Sequence, residues 1–392
     1  MFNKNVVITG LVSFFMDVSS EMIYPLAPLF LANVIGADKA VIGLIEGIAE
    51  STASILKIFS GWLSDRIGRR KWLMAAGYGL AVLSRPVMAA SLSWHEVLAA
   101  RFIDRAGKGV RTAPRDAIIS ESTEPAYLAR AFGLHRSMDT MGAVVGPLAA
   151  FSMLGLFQND YRLVFWASMI PGVIAVLLII FFITEISKKA RSPAHEKPRL
   201  ILMRFNWRFR LFMVISAIFA LGNSSDAFLI LKAGQIGIRP ALIPIVYLTF
   251  NLIYSLSAIP AGMAADRFGK KRIILSGFIL FAFVYYGFAV TGDTRTVWLL
   301  FALYGIFMGL TEGIQKAYLA TIIPQDFKAT AFGVYNTVVG LAMLPASIIG
   351  GWLWDHISPS ATFYFGSATA AISAALFLAF IQAVKGRKAV DA

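Results

Sequence analysis

Residues 61–71 read GWLSDRIGRRK, and residues 262–272 read GMAADRFGKKR. Gly61, Asp65, Arg66, Gly68, Arg69 and Arg70 fall opposite Gly262, Asp266, Arg267, Gly269, Lys270 and Lys271, at a constant separation of 201 residues. A second echo has nearly the same separation: ARAFG at 129–133 against ATAFG at 329–333. A weaker third sets SSE at 19–21 against SSD at 224–226. Similar tracts at a common offset mark an internal duplication, so whatever the first half builds the second half builds again.

The composition says what is duplicated. Of 392 residues, 58% are hydrophobic and only 15% charged, whereas a water-soluble domain carries about 25% charged residues. A spanning helix needs about 20 mostly apolar residues. Spans are expected at 6–35, 41–63, 72–92, 95–119, 129–157, 161–184, 209–232, 240–264, 272–291, 297–322, 328–353 and 359–384. The N-terminal apolar run is longer than a signal-peptide core and reads as the first span. The chain is thus expected to be an all-α polytopic membrane protein with twelve transmembrane helices. Its domains would be a six-helix bundle at 1–184, a linker at 185–208 and a second six-helix bundle at 209–392.

The net charge of +14 matters through its placement. Lys4, the Arg66–Lys71 tract, the stretch Lys188 to Arg210, the Arg267–Arg272 tract and Lys385/Arg387/Lys388 all fall on one side. The opposite loops are nearly free of Lys and Arg, with Lys39, Arg162 and Arg295 as isolated cases. The positive-inside rule puts the crowded side and both termini in the cytoplasm, as in a multi-pass protein of a bacterial cytoplasmic (inner) membrane. The basic linker suits contact with anionic membrane lipids rather than nucleic acid. With no Cys, and with His95, His135, His195 and His356 scattered, no thiolate chemistry, metal site or cofactor is expected. No nucleotide-binding loop or nucleophile–base pairing is present, so no enzyme is expected.

The tract GxxxDRxGRRK, present in both halves, resembles the loop signature of the major facilitator superfamily, and the resemblance covers the whole chain. It implies the major facilitator fold: two pseudo-twofold six-helix bundles, alternating access, a cavity lined by the first, fourth, seventh and tenth helices, and a monomer. It also implies that Gly61, Asp65, Arg66, Gly68, Arg69 and Arg70, with Gly262, Asp266, Arg267 and Lys271, form a gating latch. GAVVGP at 142–147 resembles part of the antiporter signature of proton-driven drug exporters. Ala150 and Phe151 stand where the fuller signature has glycines.

Several spans carry charges that cannot face lipid. Asp17 and Glu21 share a face of the first span, with Asp17 about 16 Å in from its start. Pro25 and Pro28 are expected to loosen its outer half. In the fourth span Asp104, Lys108, Arg111 and Arg115 form one stripe, and Arg101 and Arg105 an adjoining one. Arg105, followed by Gly109, resembles the superfamily's fourth-helix arginine, which the family links to proton coupling. Asp17 or Glu21 would then bind the coupling proton and Arg105 would hold the deprotonated form, with Asp139 as the alternative proton site. Glu46, Glu50 and Lys57 on the second span, and His135, Arg136 and Asp139 on the fifth, would line a wet interior. The second half offers Asn223 and Asp226, Tyr247 and Asn251, the i,i+4 pair Glu312 and Lys316, and Tyr335 and Asn336 as substrate-cavity candidates.

The resemblance, with the acidic first span, implies proton-coupled efflux of a small amphiphilic or organic compound, an anionic one included. The alternative is transport of an organic anion or metal-chelate metabolite by symport, exchange or uniport, which the cations of the fourth span favour.

Overall fold

The computed structural model describes residues 3–67, 69–124, 128–185, 206–323 and 328–390, leaving out the side chains of 58, 61, 62, 65–67, 128–130, 320, 328–333 and 385–390. The described residues form fourteen α-helices: α1 (Lys4–Ile23), α2 (Ala27–Asn33), α3 (Lys39–Ile67), α4 (Arg70–Ala90), α5 (Trp94–Glu121), α6 (Leu128–Leu156), α7 (Tyr161–Phe182), α8 (Trp207–Gly222), α9 (Ala227–Ile236), α10 (Ile243–Phe268), α11 (Lys270–Val290), α12 (Thr294–Ile322), α13 (Lys328–His356) and α14 (Pro359–Val390). One 3-10 turn, Pro240–Leu242, precedes α10.

These helices make twelve spans, because α1 with α2 and α8 with α9 are broken single crossings. Ten spans are long and apolar enough to cross a bilayer by length and composition alone. The other two are α3 and α5, whose charges lower their hydropathy. The first span breaks where Pro25 has no N–H and its ring displaces the carbonyl of residue 21. Pro28 then sits in the first turn of α2, where its missing donor costs nothing. The seventh span, expected to be continuous over 209–232, instead opens at Asn223–Asp226 and continues to Ile236. No proline causes this break. Ser225 Oγ accepts from the Ala227 amide at 3.3 Å, and the Ser225 amide donates to Ser347 Oγ at 3.3 Å, so side chains replace helical backbone partners.

The chain divides into two compact units, Met1–Ala194 with Ile238–Leu248, and His195–Gly237 with Thr249–Ala392. In the first, neighbours run α3, α5, α4, α7, α1, α6. In the second they run α10, α12, α11, α14, α8, α13, the same order shifted by one repeat, with Gly305 and Gly309 of α12 closing on Phe250 and Ser257 of α10. The duplication in sequence is therefore a duplication of packing.

The repeated tract corrects the expected boundaries. It was expected between spans ending at 63 and 264, but α3 continues to Ile67 and α10 to Phe268. Only Gly269 separates α10 from α11. Its φ of +94° is a conformation that a side chain resists, which explains a glycine at that place.

Candidate functional site

The most polar span of the first unit is α5, and its burial rests on close backbone approaches. A Cβ on Gly107 would stand 2.5 Å from the Gly77 carbonyl oxygen of α4, and one on Gly109 would stand 2.6 Å from Leu56 Cβ of α3. Ser60 donates to the Gly109 carbonyl at 2.8 Å. Held between α3 and α4, α5 meets their charged side chains instead of lipid.

A chain of ion pairs results. Arg101 binds Glu46 through two bonds, 2.9 and 2.6 Å, with both side chains buried. Arg105 meets Glu50 at 2.9 Å. Arg85 of α4 meets Asp104 at 3.1 Å, and also donates to Ser19 at 3.1 Å and Ser20 at 2.9 Å. Asp104 has weaker contacts with Arg101 at 3.9 Å and Arg105 at 4.0 Å. The Tyr24 ring, at the break between α1 and α2, has both Arg101 and Arg105 at 5.5 Å from its centroid, a cation–π arrangement.

The acidic residues of α1 face elsewhere. Arg105 bonds Glu50, not Asp17. The carboxyl of Asp17 comes within hydrogen-bonding range of the Asp139 carboxyl on α6. Asp139 also accepts from Ser13 at 2.7 Å and Arg136 at 3.1 Å. This juxtaposition depends on two glycines of GAVVGP. A Cβ on Gly142 would lie 2.5 Å from the Phe14 carbonyl oxygen and 2.8 Å from Asp17 Cβ; one on Gly146 would lie 2.8 Å from Glu21 Cβ. The glycines let α6 seat directly against Asp17 and Glu21.

Two cations of the α5 stripe stand apart from the pairs. Arg111 is 7% exposed, lies over the Tyr78 ring at 4.6 Å, and its Nη1 has no hydrogen-bond partner. Lys108, one turn back, is exposed and interacts electrostatically with Arg105, Glu50, Arg111 and Asp17. Arg115 pairs with Asp116 at 2.8 Å. His135 is buried beside Arg115, Asp139 and Asp116.

The candidates of the second unit fall into smaller groups. Lys316 meets Glu312 at 3.5 Å, and the Tyr254 hydroxyl donates to Glu312. Tyr304 donates to Asp226 at 2.8 Å. Tyr335 donates to Gln315. Asn223 and Asn251 are half-buried and Asn336 is exposed, while Tyr247, which falls in the first unit, is buried. A cavity of about 260 Å³ between α10 and α12 is lined by Tyr254, Gly262, Asp266, Lys270 and Gly313, among others.

Of the latch candidates, Gly68 and the side chains of Gly61, Asp65 and Arg66 lie outside the described residues. Arg69 is exposed. Arg70 meets Glu121, at the end of α5, at 2.9 Å. Glu185 accepts from the Arg70 amide at 2.9 Å and from the Lys71 amide at 3.1 Å, satisfying orphan donors at the start of α4. In the second unit Asp266 and Lys270 form an exposed pair at 3.5 Å. Arg267 lies over Phe268, and Lys271 over Phe380 at 5.5 Å.

Sequence reasoning missed Arg85, the partner of Asp104. A single arginine inside the apolar run AVLSRPVMAA was the available signal. Ser13, Tyr24 and Tyr78 were missed too, since nothing in their type marks them apart from ordinary packing residues.

The sequence model of the Major Facilitator Superfamily matches residues 9–232 and 212–391. The chain is 38% identical to an uncharacterized MFS-type transporter of Methanocaldococcus jannaschii over 384 residues, 96% of this chain and 94% of that protein. It is 21% identical to the multidrug resistance protein MdtH of Photorhabdus laumondii, over 85% of this chain and 82% of that protein. Among solved structures, the nucleoside transporter NupG superposes with a TM-score of 0.78 at 14% identity, over 96% of this chain and 99% of that one.

Proposed function

The chain belongs to the Major Facilitator Superfamily, and from that premise we propose that it is a proton-coupled secondary transporter of a small organic compound, working by alternating access. A transporter rather than an enzyme is what the family establishes. The proton coupling rests on one observation: the carboxyls of Asp17 and Asp139 lie within hydrogen-bonding range of each other at the α1–α6 crossing. Two carboxyls can share a hydrogen bond only with a proton on one of them, and without it like charges repel. Gly142 and Gly146 leave no slack between the helices there. Loss of the proton therefore acts on the packing of α1 against α6, and Asp139 already accepts from Ser13 and Arg136. Asp17 is the member that gains and loses the proton.

A second reading, efflux by exchange for protons, is supported by the glycines of the partial antiporter pattern and by the name of the multidrug relative. Cytoplasmic termini and a monomer in a bacterial inner membrane complete the proposal; the charge bias of the loops supports that orientation.

The test is flux in vesicles carrying an internal pH dye, with a substrate panel of organic anions, neutral molecules and amphiphilic cations. The expected result is substrate-dependent proton movement that Asp17→Asn abolishes. Substrate flux with no proton movement in the unmodified protein contradicts it.

A further inference from the structure

Charge matching within the first unit leaves a specific remainder. Arg85 is matched with Asp104, Arg101 with Glu46, Arg105 with Glu50, Arg115 with Asp116 and Arg136 with Asp139. Arg111 and Lys108 have no acidic side chain within ion-pair distance among the described residues. Arg111 is nine-tenths buried and its Nη1 makes no hydrogen bond. A buried guanidinium with an idle N–H is costly unless something binds it. Tyr78 covers one face of it, with the ring centroid at 4.6 Å. Lys108 sits one helical turn away on the same face of α5, exposed, so the pair has an open side.

Asp17 lies within electrostatic reach of both cations, as Glu50 does of Lys108 and Asp104 of Arg111. Within electrostatic range of Asp17 are Glu21 on its own helix, Lys108 and Arg111 from α5, Asp139 from α6, and Tyr78 from α4. From α7 the core of α1 meets apolar residues such as Ala175 and Ile179. Deprotonated Asp17 thus shares the field of Arg111 and Lys108 with any anion that enters. Protonated Asp17 leaves that field to the anion.

We infer that the substrate carries a carboxylate or similar monoanionic group bound by Arg111 and Lys108, and that it binds together with the proton on Asp17, so that anion and proton move in the same direction. This rests on Asp17 being the proton site, and it sets the sign of coupling opposite to exchange. By linkage, whatever the proton gains from the anion the anion gains from the proton. Above the titration of Asp17, apparent anion affinity falls by up to about tenfold per pH unit. Arg111 suits the group through two parallel N–H bonds to a carboxylate, and Lys108 adds a point charge at the open side.

The experiment is thermal unfolding of the purified full-length protein in detergent, titrated at about pH 5.5 and pH 7.5. The probes are benzoate, salicylate, phenylacetate and cinnamate, each matched with its uncharged primary amide. Expected are raised unfolding midpoints with carboxylates and not amides, and affinity at least about tenfold tighter at the lower pH. Asp17→Asn should bind carboxylates with the same affinity at both pH values. Lys108→Gln, an exposed change that leaves the ligand-free midpoint near that of the unmodified protein, should weaken carboxylate binding about tenfold or more. Arg111→Lys keeps the charge and should lose most affinity through the lost second bond. Affinity that tightens as pH rises, equal protection by the amides, no protection by any carboxylate, or pH dependence surviving in Asp17→Asn each overturns the inference. The broader transport reading fails separately, on absence of proton movement in vesicles with charged and neutral substrates alike.

Discussion

Replacing Glu46 by Gln removes the partner of a cation that cannot reach water. The Arg101 and Glu46 side chains are 6% and 2% exposed, and two bonds of 2.9 and 2.6 Å join them. Breaking a buried pair from one side costs about 3–5 kcal/mol, because the other charge stays buried. Arg101 keeps Asp104 at 3.9 Å and the Tyr24 ring at 5.5 Å, and Gln retains one acceptor, so the lower end, about 3 kcal/mol, is expected. For a folding unit of this size that is a fall of roughly 6–12 °C in unfolding midpoint. Removing both charges, as Glu46→Met with Arg101→Met, should recover most of the loss, since a well-packed apolar pair often equals a buried ion pair. The assay is thermal unfolding in detergent for the unmodified protein, both single variants and the double. A midpoint within about 1 °C of the original for Glu46→Gln, or a double variant as unstable as the two singles added, would refute the buried-pair reasoning.

Other outcomes follow from single contacts. Gly142→Leu should force α1 and α6 apart, since even a methyl meets the Phe14 carbonyl oxygen at 2.5 Å; a stability loss of about 1–3 kcal/mol and loss of proton-linked flux are expected in the same two assays. Glu121→Gln should weaken the tie to Arg70, now 2.9 Å away, and raise solvent labelling of cysteines introduced at the C-terminal end of α5, with only a small change in midpoint. Asp293 caps α12, and the Thr296 amide holds its carboxyl below the usual carboxylate range. Its stabilisation is present above the unfolded value of about 4 and fades as pH falls through the lower folded value. Asp293→Ala should therefore narrow the stability difference between neutral and strongly acid pH, read by unfolding at both.

The spans were legible because two signals agreed, the apolar runs and the tract repeated 201 residues apart. Charge lowers the hydropathy of α3 and α5, the two spans that length and composition alone do not mark. The break of the first span was legible through Pro25. The break of the seventh was not, since Asn223, Ser224 and Ser225 open a helix only once Ser347 stands ready to receive a freed amide. Within the site, sequence spacing told which side chains share a face of α5. It could not tell which helix stands against that face. Arg105 therefore faces Glu50 and Asp17 faces Asp139, a pairing decided by the neighbour order α3, α5, α4 and by the glycines that seat α6 on α1. Arg85, alone in the apolar stretch of α4, became informative only when α4 was seen to bring it to Asp104.

The central claim is that Asp17 and Asp139 share one transferable proton. Infrared difference spectroscopy of the purified protein across a pH titration reads it directly, in the carbonyl stretch of a protonated carboxyl. The account predicts one such band that disappears with release of a single proton as pH rises, is missing from Asp17→Asn, and shifts in Asp139→Asn, where Asp17 loses its partner. A spectrum without a protonated carboxyl, or one whose band is unchanged by both substitutions, would contradict it.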